Sequence, residues 1–159
     1  MRRGDFKVSF DGAFKDVIHN CADREETWIN ETIVDLYDAL FQIGHAHSVE
    51  VWNGKTMVGG VYGVAIGGAF FGESMFSKAT DASKLALAYL IDRLRNTGFS
   101  LFDTQFLTPH LASLGAVEIP RKLFHQQLAA ALPIKASFSD GGTFAPDPQD
   151  VIQRSAQTS

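Results

Sequence analysis

The chain has 159 residues, the length of one ordinary domain, and 45% of them are apolar, which is enough to form one hydrophobic core. The formal net charge of −4 argues against broad binding to a nucleic-acid backbone and is compatible with a basic ligand. The only cysteine, Cys21, excludes an internal disulfide, and neither a signal peptide nor an apolar run of about 18 residues is visible, so we expect a cytoplasmic chain without a membrane partner.

Apolar residues at helical spacing predict two helices in the first third of the chain. The first follows Asp11, a suitable N-cap, and its stripe comprises Phe14, Val17, Ile18 and Cys21. The second begins after Asn30 and ends at Gly44, since glycine is typical of the position that follows a helix.

An antiparallel sheet is predicted next. The stretch SVEVW (48–52) alternates, and the Asn53-Gly54 pair that follows is the strongest short hairpin signal because both residues accept positive φ. MVGGVYGVAIG (57–67) is the partner strand, and AFFGESMFS (69–77) adds a third. Glu73 lies inside this third, apolar strand, where a carboxylate is costly to bury unless it is paired or hydrogen-bonded.

The remaining chain is predicted to form a helix, a strand and two more helices. The first of these helices is capped by Thr80 or Asp81 and ends at Gly98, and residues 99–105 form the strand. Residues 110–115 form a short helix, and residues 120–132 form another that has Pro120 in its first turn. After Leu132 the polar composition predicts a loose tail, so we assign 1–132 to the catalytic domain and 133–159 to a flexible C-terminal tail. This order indicates an α+β fold.

Several sequence blocks together resemble one family. In order they are FKVSFDGAFKDVIHNCA, REETWI, GHAHSVEVW, VGGVYGVAIGGAFFGESMFS, ASKLAL, DTQFLTPHLASLGA and EIPRKLF. This series resembles the leucyl/phenylalanyl-tRNA–protein transferases over about residues 5–128. One departure is visible, because members usually carry an additional Trp-rich and basic segment before FKVSF, whereas this chain has four residues before Asp5.

The resemblance implies a fold like that of the Gcn5-related N-acetyltransferases, with a mostly antiparallel sheet flanked by helices. It also implies transfer of Leu or Phe from aminoacyl-tRNA to proteins whose first residue is Arg or Lys, which feeds the N-degron pathway of protein degradation. No cofactor or metal is expected, and we expect a monomer. The alternative is a catalytically impaired, shortened member that binds basic N-termini as an adaptor.

Three residues are implied to be catalytic. Glu73 matches the family's active-site glutamate, and its carboxylate would attract the positive charges of a basic N-terminal residue. Asp103 and Gln105 stand at i and i+2 of a predicted strand, so their side chains should face the same way. In the implied roles, Gln105 accepts a hydrogen bond from the attacking amine and Asp103 orients Gln105.

Further residues are candidates for substrate contacts. Those for the aminoacyl group are Trp52, Phe70, Phe71, Ser74, Met75, Phe76 and Thr108, and Trp52 could instead stack on the terminal adenine. Thr108 and His110 could equally be structural, and core packing is the alternative for each phenylalanine. The candidates for tRNA phosphates are Lys84, Arg121, Arg2 and Arg3, which are scattered and could be solvated surface charge.

Two other interpretations are weaker. An acyl-CoA-dependent acetyltransferase needs a glycine-rich turn that leads into a helix and binds pyrophosphate through backbone N–H groups, and SKATDASK (77–84) has no glycine. His45 and His47 share one strand face, but two histidines and a distant cysteine do not form a metal-coordination set, so we expect them to be structural.

Overall fold

The computed structural model describes residues 6–23, 25–143 and 145–156 and contains one five-stranded sheet with the order β1-β2-β3-β4-β5. The strands are β1 (Lys7–Phe10), β2 (Ala46–Asn53), β3 (Thr56–Ile66), β4 (Ala69–Ser77) and β5 (Leu101–Asp103). The first four strands pair antiparallel, and β5 runs parallel to β4. The predicted hairpins and the mostly antiparallel sheet are therefore confirmed, whereas β1 was not predicted.

Helices cover both faces of this sheet. They are α1 (Phe14–Ala22), α2 (Glu31–Gln42), α3 (Ala82–Asn96), α4 (Pro109–Ser113), α5 (Arg121–Ala131) and α6 (Pro148–Ala156), and a short 3₁₀ turn spans Phe138–Gly141. One buried cluster joins α1 and α2 to one face, and a second joins α3 and the C-terminal segment to the other. None of the helices among the described residues is both long and apolar enough to cross a membrane.

The ends of two helices show how local sequence produces these elements. Asn30 caps α2 as predicted, because its side chain accepts a hydrogen bond from the Ile33 N–H at 3.0 Å. Asp11 does not cap α1, whose N-cap is Ala13. Instead Asp11 adopts φ 57° and its carboxylate accepts the Ser48 N–H at 2.8 Å, which ties the turn after β1 to β2.

Strand β4 contains a bulge at Glu73. Ser74 pairs with Tyr62 of β3 and Gly72 pairs with Gly63, so Glu73 is an extra residue without a partner. A Cβ at Gly63 would lie 2.2 Å from the Phe71 carbonyl oxygen, so this close approach requires glycine.

The bulge changes which face of the sheet the side chains of β4 occupy. Phe70 belongs to the buried cluster under α3, and Phe76 belongs to the cluster under α1 and α2. Six residues apart on a regular strand, the two rings would face the same side. The extra residue therefore lets one strand supply aromatic rings to both cores.

The C-terminal segment packs against the domain, which corrects the expectation of a loose tail for residues 138–143 and 145–156. Phe138 is 2% exposed and its ring stacks on His47 at 4.4 Å. The Arg93 Nη1 donates to the Phe138 carbonyl at 3.2 Å and to the Gly142 carbonyl at 2.7 Å. Arg154 of α6 forms an ion pair with Asp92 at 2.6 Å. A few specific contacts of Phe138, Gly142 and Arg154 therefore hold this polar segment against the domain.

A second glutamate, Glu50 on β2, is completely buried. Its carboxylate accepts hydrogen bonds from the hydroxyls of Ser9 and Ser48 and from the Gly12 N–H. Burial is the largest influence and raises the pKa of Glu50 above its ordinary value of 4.5, while the three donors act in the opposite direction. The network connects β1 to the rest of the sheet.

The Phe138 anchor gives a stability prediction. Phe138→Ala should lower the free energy of unfolding by about 3–5 kcal/mol, because it leaves a cavity between the sheet and α3. Ile152→Ala on α6 is the control, since Ile152 is 67% exposed and its loss should cost little. Chemical denaturation measures both variants, and equal stability of the two would contradict the packing described here.

Glu50 gives a pH-dependent prediction. A carboxyl group whose pKa is raised in the folded state binds its proton more tightly than the unfolded chain does, so its contribution to stability falls as pH rises above about 4.5. Glu50→Gln keeps the shape and removes the titration. The free energy of unfolding of the variant relative to the wild-type chain should therefore rise between pH 4.5 and pH 8, and a difference independent of pH would contradict the raised pKa.

Candidate functional site

The candidate site lies where β4 and β5 separate. The two strands pair only from Ala69 and Leu101 to Phe71 and Asp103, and β5 ends there while β4 continues to Ser77. The bulge at Glu73 lies within β4, two residues after Phe71, the last residue that pairs with β5. The Gln105 amide bonds to the carbonyl of Gly72, the residue before Glu73, so these two catalytic candidates from distant parts of the sequence are connected through one point of β4.

Glu73 is half-buried and lies near α2. Burial, followed by the neighbouring Glu73 carboxylate, raises the pKa of the Tyr37 hydroxyl on α2 well above its ordinary value of 10.0. The acid therefore faces the α1–α2 side of the sheet and does not point into bulk solvent.

Gln105 is held by both β5 and β4. Its backbone N–H donates to Asp103 Oδ1 at 2.8 Å, and its side-chain Nε2 donates to the Gly72 carbonyl at 3.1 Å. The prediction that Asp103 and Gln105 share a strand face is wrong, since β5 ends at Asp103 and Gln105 adopts φ 66°. The Asp103 carboxylate binds the backbone N–H of Gln105 and not its side chain. The turn that this bond forms, and not strand alternation, directs the side-chain amide of Gln105 toward β4.

Two cavities meet at Asp103 and Thr104. One has a volume of about 460 Å³, and its apolar lining includes Leu87, Ile91, Leu94, Phe102, Leu111 and Phe124. The other has a volume of about 420 Å³ and is lined in part by Gln105, Phe106, Glu118 and Arg121. The first cavity lies on the α3 side of the sheet, whereas Glu73 faces the α2 side.

The β4 residues predicted to contact the aminoacyl group are dispersed. Phe70 is 1% exposed and packs against Phe99, Phe102 and Phe138, so it is a core residue. Phe71 and Ser74 are half-buried on either side of the bulge. Met75 and Phe76 line a separate cavity of about 430 Å³ together with Lys78 and His110.

Trp52 and Thr108 are both engaged elsewhere. Trp52 lies on β2, with β3 between it and β4, and its Nε1 donates to the Ser9 hydroxyl at 2.9 Å. Thr108 is the N-cap of α4, because its hydroxyl accepts the Leu111 N–H at 3.1 Å. The structural role of Thr108 therefore explains its position without a substrate.

The predicted tRNA-binding residues form no single patch among the described residues. Lys84 at the start of α3 forms an ion pair with Asp81 at 3.0 Å. Arg121 at the start of α5 lines the cavity beside Gln105. Arg2 and Arg3 lie outside the described residues. Arg121 is thus the one described candidate that borders the site.

The two histidines of the HAH stretch have structural partners. His45 Nδ1 lies 3.2 Å from the Ala65 carbonyl oxygen, and His47 Nδ1 lies 2.8 Å from Asp11 Oδ2. Across residues 6–23, 25–143 and 145–156, no group of three or more His, Cys, Asp or Glu residues is arranged to hold a metal ion.

Sequence reasoning missed two aromatic residues at the site. Neither Tyr37 nor Trp28 was among the candidate site residues. Trp28 is 55% exposed and its ring lies edge-on to Tyr37, with centroids 6.4 Å apart. The proximity of Tyr37 to Glu73 leaves no periodic signal in the sequence, but the tryptophan inside the REETWI block was a signal that could have been used.

Comparisons with known proteins identify the family of this chain. A sequence model of the family described as leucyl/phenylalanyl-tRNA protein transferase matches residues 1–129. A leucyl/phenylalanyl-tRNA–protein transferase of Cereibacter sphaeroides is 64% identical over 100% of this chain and 74% of that protein. One from Ruegeria pomeroyi is 61% identical over 100% of this chain and 75% of that protein.

Among solved structures, a ribosomal-protein-alanine N-acetyltransferase from Brucella melitensis biovar Abortus is similar in fold. Its TM-score is 0.55 at 12% identity, over 74% of this chain and 94% of that one. The predicted α+β, acetyltransferase-like fold is confirmed, and so is the resemblance drawn from the sequence blocks. The chain belongs to the leucyl/phenylalanyl-tRNA protein transferase family, a family of aminoacyltransferases.

Proposed function

We propose that this chain transfers Leu or Phe from aminoacyl-tRNA to the free N-terminal amine of proteins that begin with Arg or Lys. The observation that carries the proposal is the half-buried Glu73, which directly follows Gly72, the residue whose carbonyl anchors the Gln105 amide. A carboxylate in such a place attracts a cation, because Coulomb attraction grows as water is excluded. Family membership supplies the reaction class.

The proposed reaction is aminolysis of an ester. The neutral α-amine attacks the ester carbonyl carbon, a C–N bond forms, and the C–O bond to the ribose breaks. The amine loses a proton and the leaving ribose oxygen gains one, so nothing is oxidised or reduced. An α-amine has a pKa of about 7.7–8.0 and is partly neutral at pH 7, so orientation contributes more than a strong base.

Gln105 is proposed to orient the amine. Because Nε2 is committed to the Gly72 carbonyl, the amide oxygen is the atom that can accept an N–H of the incoming amine. Asp103 fixes the turn that presents this amide through its bond to the Gln105 backbone. A neutral amide is a weak proton acceptor, so positioning is the role that its chemistry supports.

The apolar cavity of about 460 Å³ is proposed to hold the leucyl or phenylalanyl side chain. Its lining is suited to apolar groups, and it touches Asp103, so the ester would lie near the opening between β4 and β5. The leucyl or phenylalanyl side chain would then lie on the α3 side, and the tRNA end and the acceptor's charged side chain on the α2 side of the opening. This assignment replaces the pocket that the sequence suggested around Phe70 and Phe76.

Trp28 is proposed to stack on a base of the tRNA end. It is exposed and contacts Tyr37, whereas Trp52 is bonded to Ser9 and lies farther along the sheet. Stacking of this kind contributes about 1–3 kcal/mol per base. Arg121 is the proposed phosphate contact nearest the site, with Lys84, Arg2 and Arg3 as further candidates. In the cell we propose cytoplasmic action, as a monomer, ahead of N-degron degradation.

The test is a transfer assay with the purified chain, radiolabelled Leu-tRNA and short peptides. Label should appear on peptides that begin with Lys or Arg, and not on peptides that begin with Asp or carry an acetylated N-terminus. Binding of the Lys peptide without transfer would favour the adaptor alternative. Transfer to all free N-termini at one rate would contradict the proposed role of the carboxylate.

Glu73→Gln should raise the KM for the Lys peptide at least tenfold, because the amide removes the charge that attracts the cation. The KM for Leu-tRNA should change less than twofold. Glu25→Gln is the control, since Glu25 is exposed in the loop before α2 and should leave both constants unchanged. An unaltered kcat/KM for the Lys peptide in Glu73→Gln would contradict the assignment.

Gln105→Glu should lower kcat at least tenfold with little change in either KM. The variant loses the Nε2 donor to the Gly72 carbonyl, and a carboxylate is repelled by that oxygen, so the group no longer orients the amine. Gln126→Glu on the exposed face of α5 adds the same charge away from the site and is the matched control. Steady-state kinetics with both substrates separate the two constants, and equal kcat values for the two variants would sink the proposal for Gln105.

A further inference from the structure

The loop after β5 presents an exposed aromatic ring next to Gln105. The Phe106 N–H donates to the Thr104 carbonyl at 2.8 Å, and Gln105 between them adopts φ 66°, which is the rare and strained form of a γ-turn. The Thr104 hydroxyl adds a hydrogen bond to the Phe106 carbonyl at 3.3 Å. These bonds hold the backbone of Phe106 in place, although 75% of the residue is exposed.

Two cavities share a wall at this loop. One is the apolar cavity of about 460 Å³, called the donor cavity below, and the other is the cavity of about 420 Å³, called the loop cavity. The apolar residues that line both are Val117, Ile119 and Phe124. The residues that line the loop cavity and not the donor cavity are Gln105, Phe106, Leu107, Glu118 and Arg121. The apolar lining of the loop cavity therefore comes from the shared wall and from Phe106 and Leu107.

The product of the proposed reaction is a polypeptide, and its geometry decides which group can enter the loop cavity. Successive side chains of an extended chain point to opposite sides, so the transferred residue and the acceptor's second residue lie on one side, about 7 Å apart. The acceptor's first residue lies on the other side. The molecule has a matching arrangement, because the donor cavity and the loop cavity adjoin and Glu73 lies near α2.

We propose that the loop cavity binds the side chain of the acceptor's second residue, and that Phe106 and Leu107 make an apolar residue the preferred one at this position. The inference rests on the proposed function of the site and adds a second position of acceptor recognition to it. Phe106 and Leu107 act on specificity and do not touch the reacting atoms, so their loss leaves the chemical step and the donor side intact.

Covalent distances support this assignment. Consecutive Cα atoms are about 3.8 Å apart, both between Gln105 and Phe106 and between the first and second residues of the acceptor. When Gln105 holds the acceptor amine, the second side chain of the acceptor is therefore within reach of the Phe106 ring. Apolar surface that is buried between the two favours leucine over glycine at this position. Because the backbone of Phe106 is already held by the turn, little order has to be gained on binding.

The experiment uses two peptides that begin with Lys and differ only in the second residue, leucine or glycine. Each is assayed with Leu-tRNA in the wild-type chain and in Phe106→Ala, Leu107→Ala and Ile152→Ala. Ile152 on α6 is 67% exposed and lines neither cavity, so it is the control for the loss of an exposed apolar side chain. The ratio of the two kcat/KM values measures selection at the second position.

The wild-type ratio should favour leucine at least fivefold. Phe106→Ala and Leu107→Ala should each lower it at least threefold, while the kcat/KM for the glycine peptide and the KM for Leu-tRNA stay within twofold. Phe106→Leu should keep the ratio within twofold because it restores an apolar contact, and Ile152→Ala should leave it unchanged. If the wild-type chain binds the peptides without transfer, the ratio of dissociation constants replaces the kinetic ratio with the same expectations.

Leu107→Ala guards against damage to the Gln105 turn, since none of the bonds of that turn involves Leu107. If Phe106→Ala lowers kcat equally with both peptides, the ratio in Leu107→Ala decides.

Three results would overturn the inference and leave the proposed function intact. The first is a wild-type ratio near one, and the second is an unchanged ratio in Leu107→Ala. The third is a raised KM for Leu-tRNA in both loop variants with the peptide ratio unchanged, which would assign the loop cavity to the tRNA end. A wild-type chain that neither binds nor modifies either Lys peptide would instead overturn the proposed function, and the second acceptor position with it.

Discussion

The bulge at Glu73 is the constraint on which both the packing and the site depend. With one extra residue in β4, Phe70 and Phe76 enter different cores although six residues separate them. The same extra residue carries a carboxylate near enough to α2 to raise the pKa of the Tyr37 hydroxyl. Gly63 makes the bulge possible, because a side chain there would collide with the Phe71 carbonyl. Core formation and site formation therefore share one local irregularity.

The separation of β4 and β5 leaves two different environments on the two faces of the sheet. The apolar cavity beside Asp103 opens among α3, α4 and α5, and Glu73 faces α2. Water-excluding apolar walls suit an uncharged side chain, whereas the charged acceptor needs a carboxylate with a polar support. One short parallel pairing, ending at Phe71 and Asp103, thus keeps two chemically different environments apart.

The sequence predicted the regular elements well because their signals are local. The Asn53-Gly54 signal, the apolar alternation around it and the Asn30 cap were sufficient to predict the β2–β3 hairpin and α2, although Asn53 ends β2 and the turn itself comprises Gly54 and Lys55. Strand β1 has only four residues and pairs with a strand more than 35 positions away, so no local pattern indicates it. The C-terminal segment was misjudged because Phe138 and Val151 are isolated anchors in polar sequence.

The site was less accessible to sequence reasoning. Glu73, Asp103 and Gln105 came from resemblance, and strand alternation gave the wrong reason for the last two, because a side-chain bond from Asp103 forms a turn at Gln105. Nothing in the sequence indicated that Glu50 is more buried than Glu73, although Glu50 is fully buried and Glu73 is half-buried. Both carboxylates lie in apolar strands, and only their hydrogen-bond partners distinguish a structural acid from an accessible one.

The carbonyl of Gly72 has a mechanical consequence. The Gly72 carbonyl accepts a hydrogen bond from the Gln105 side chain, and Gly72 directly precedes Glu73 at the bulge. The positions of both candidate catalytic side chains therefore depend on the peptide unit between Gly72 and Glu73. A ligand that widened the opening between β4 and β5 would displace the two side chains as a coupled pair, preserving their mutual spacing. Alignment of the amine and recognition of its charge would then respond together to a single deformation of the strand.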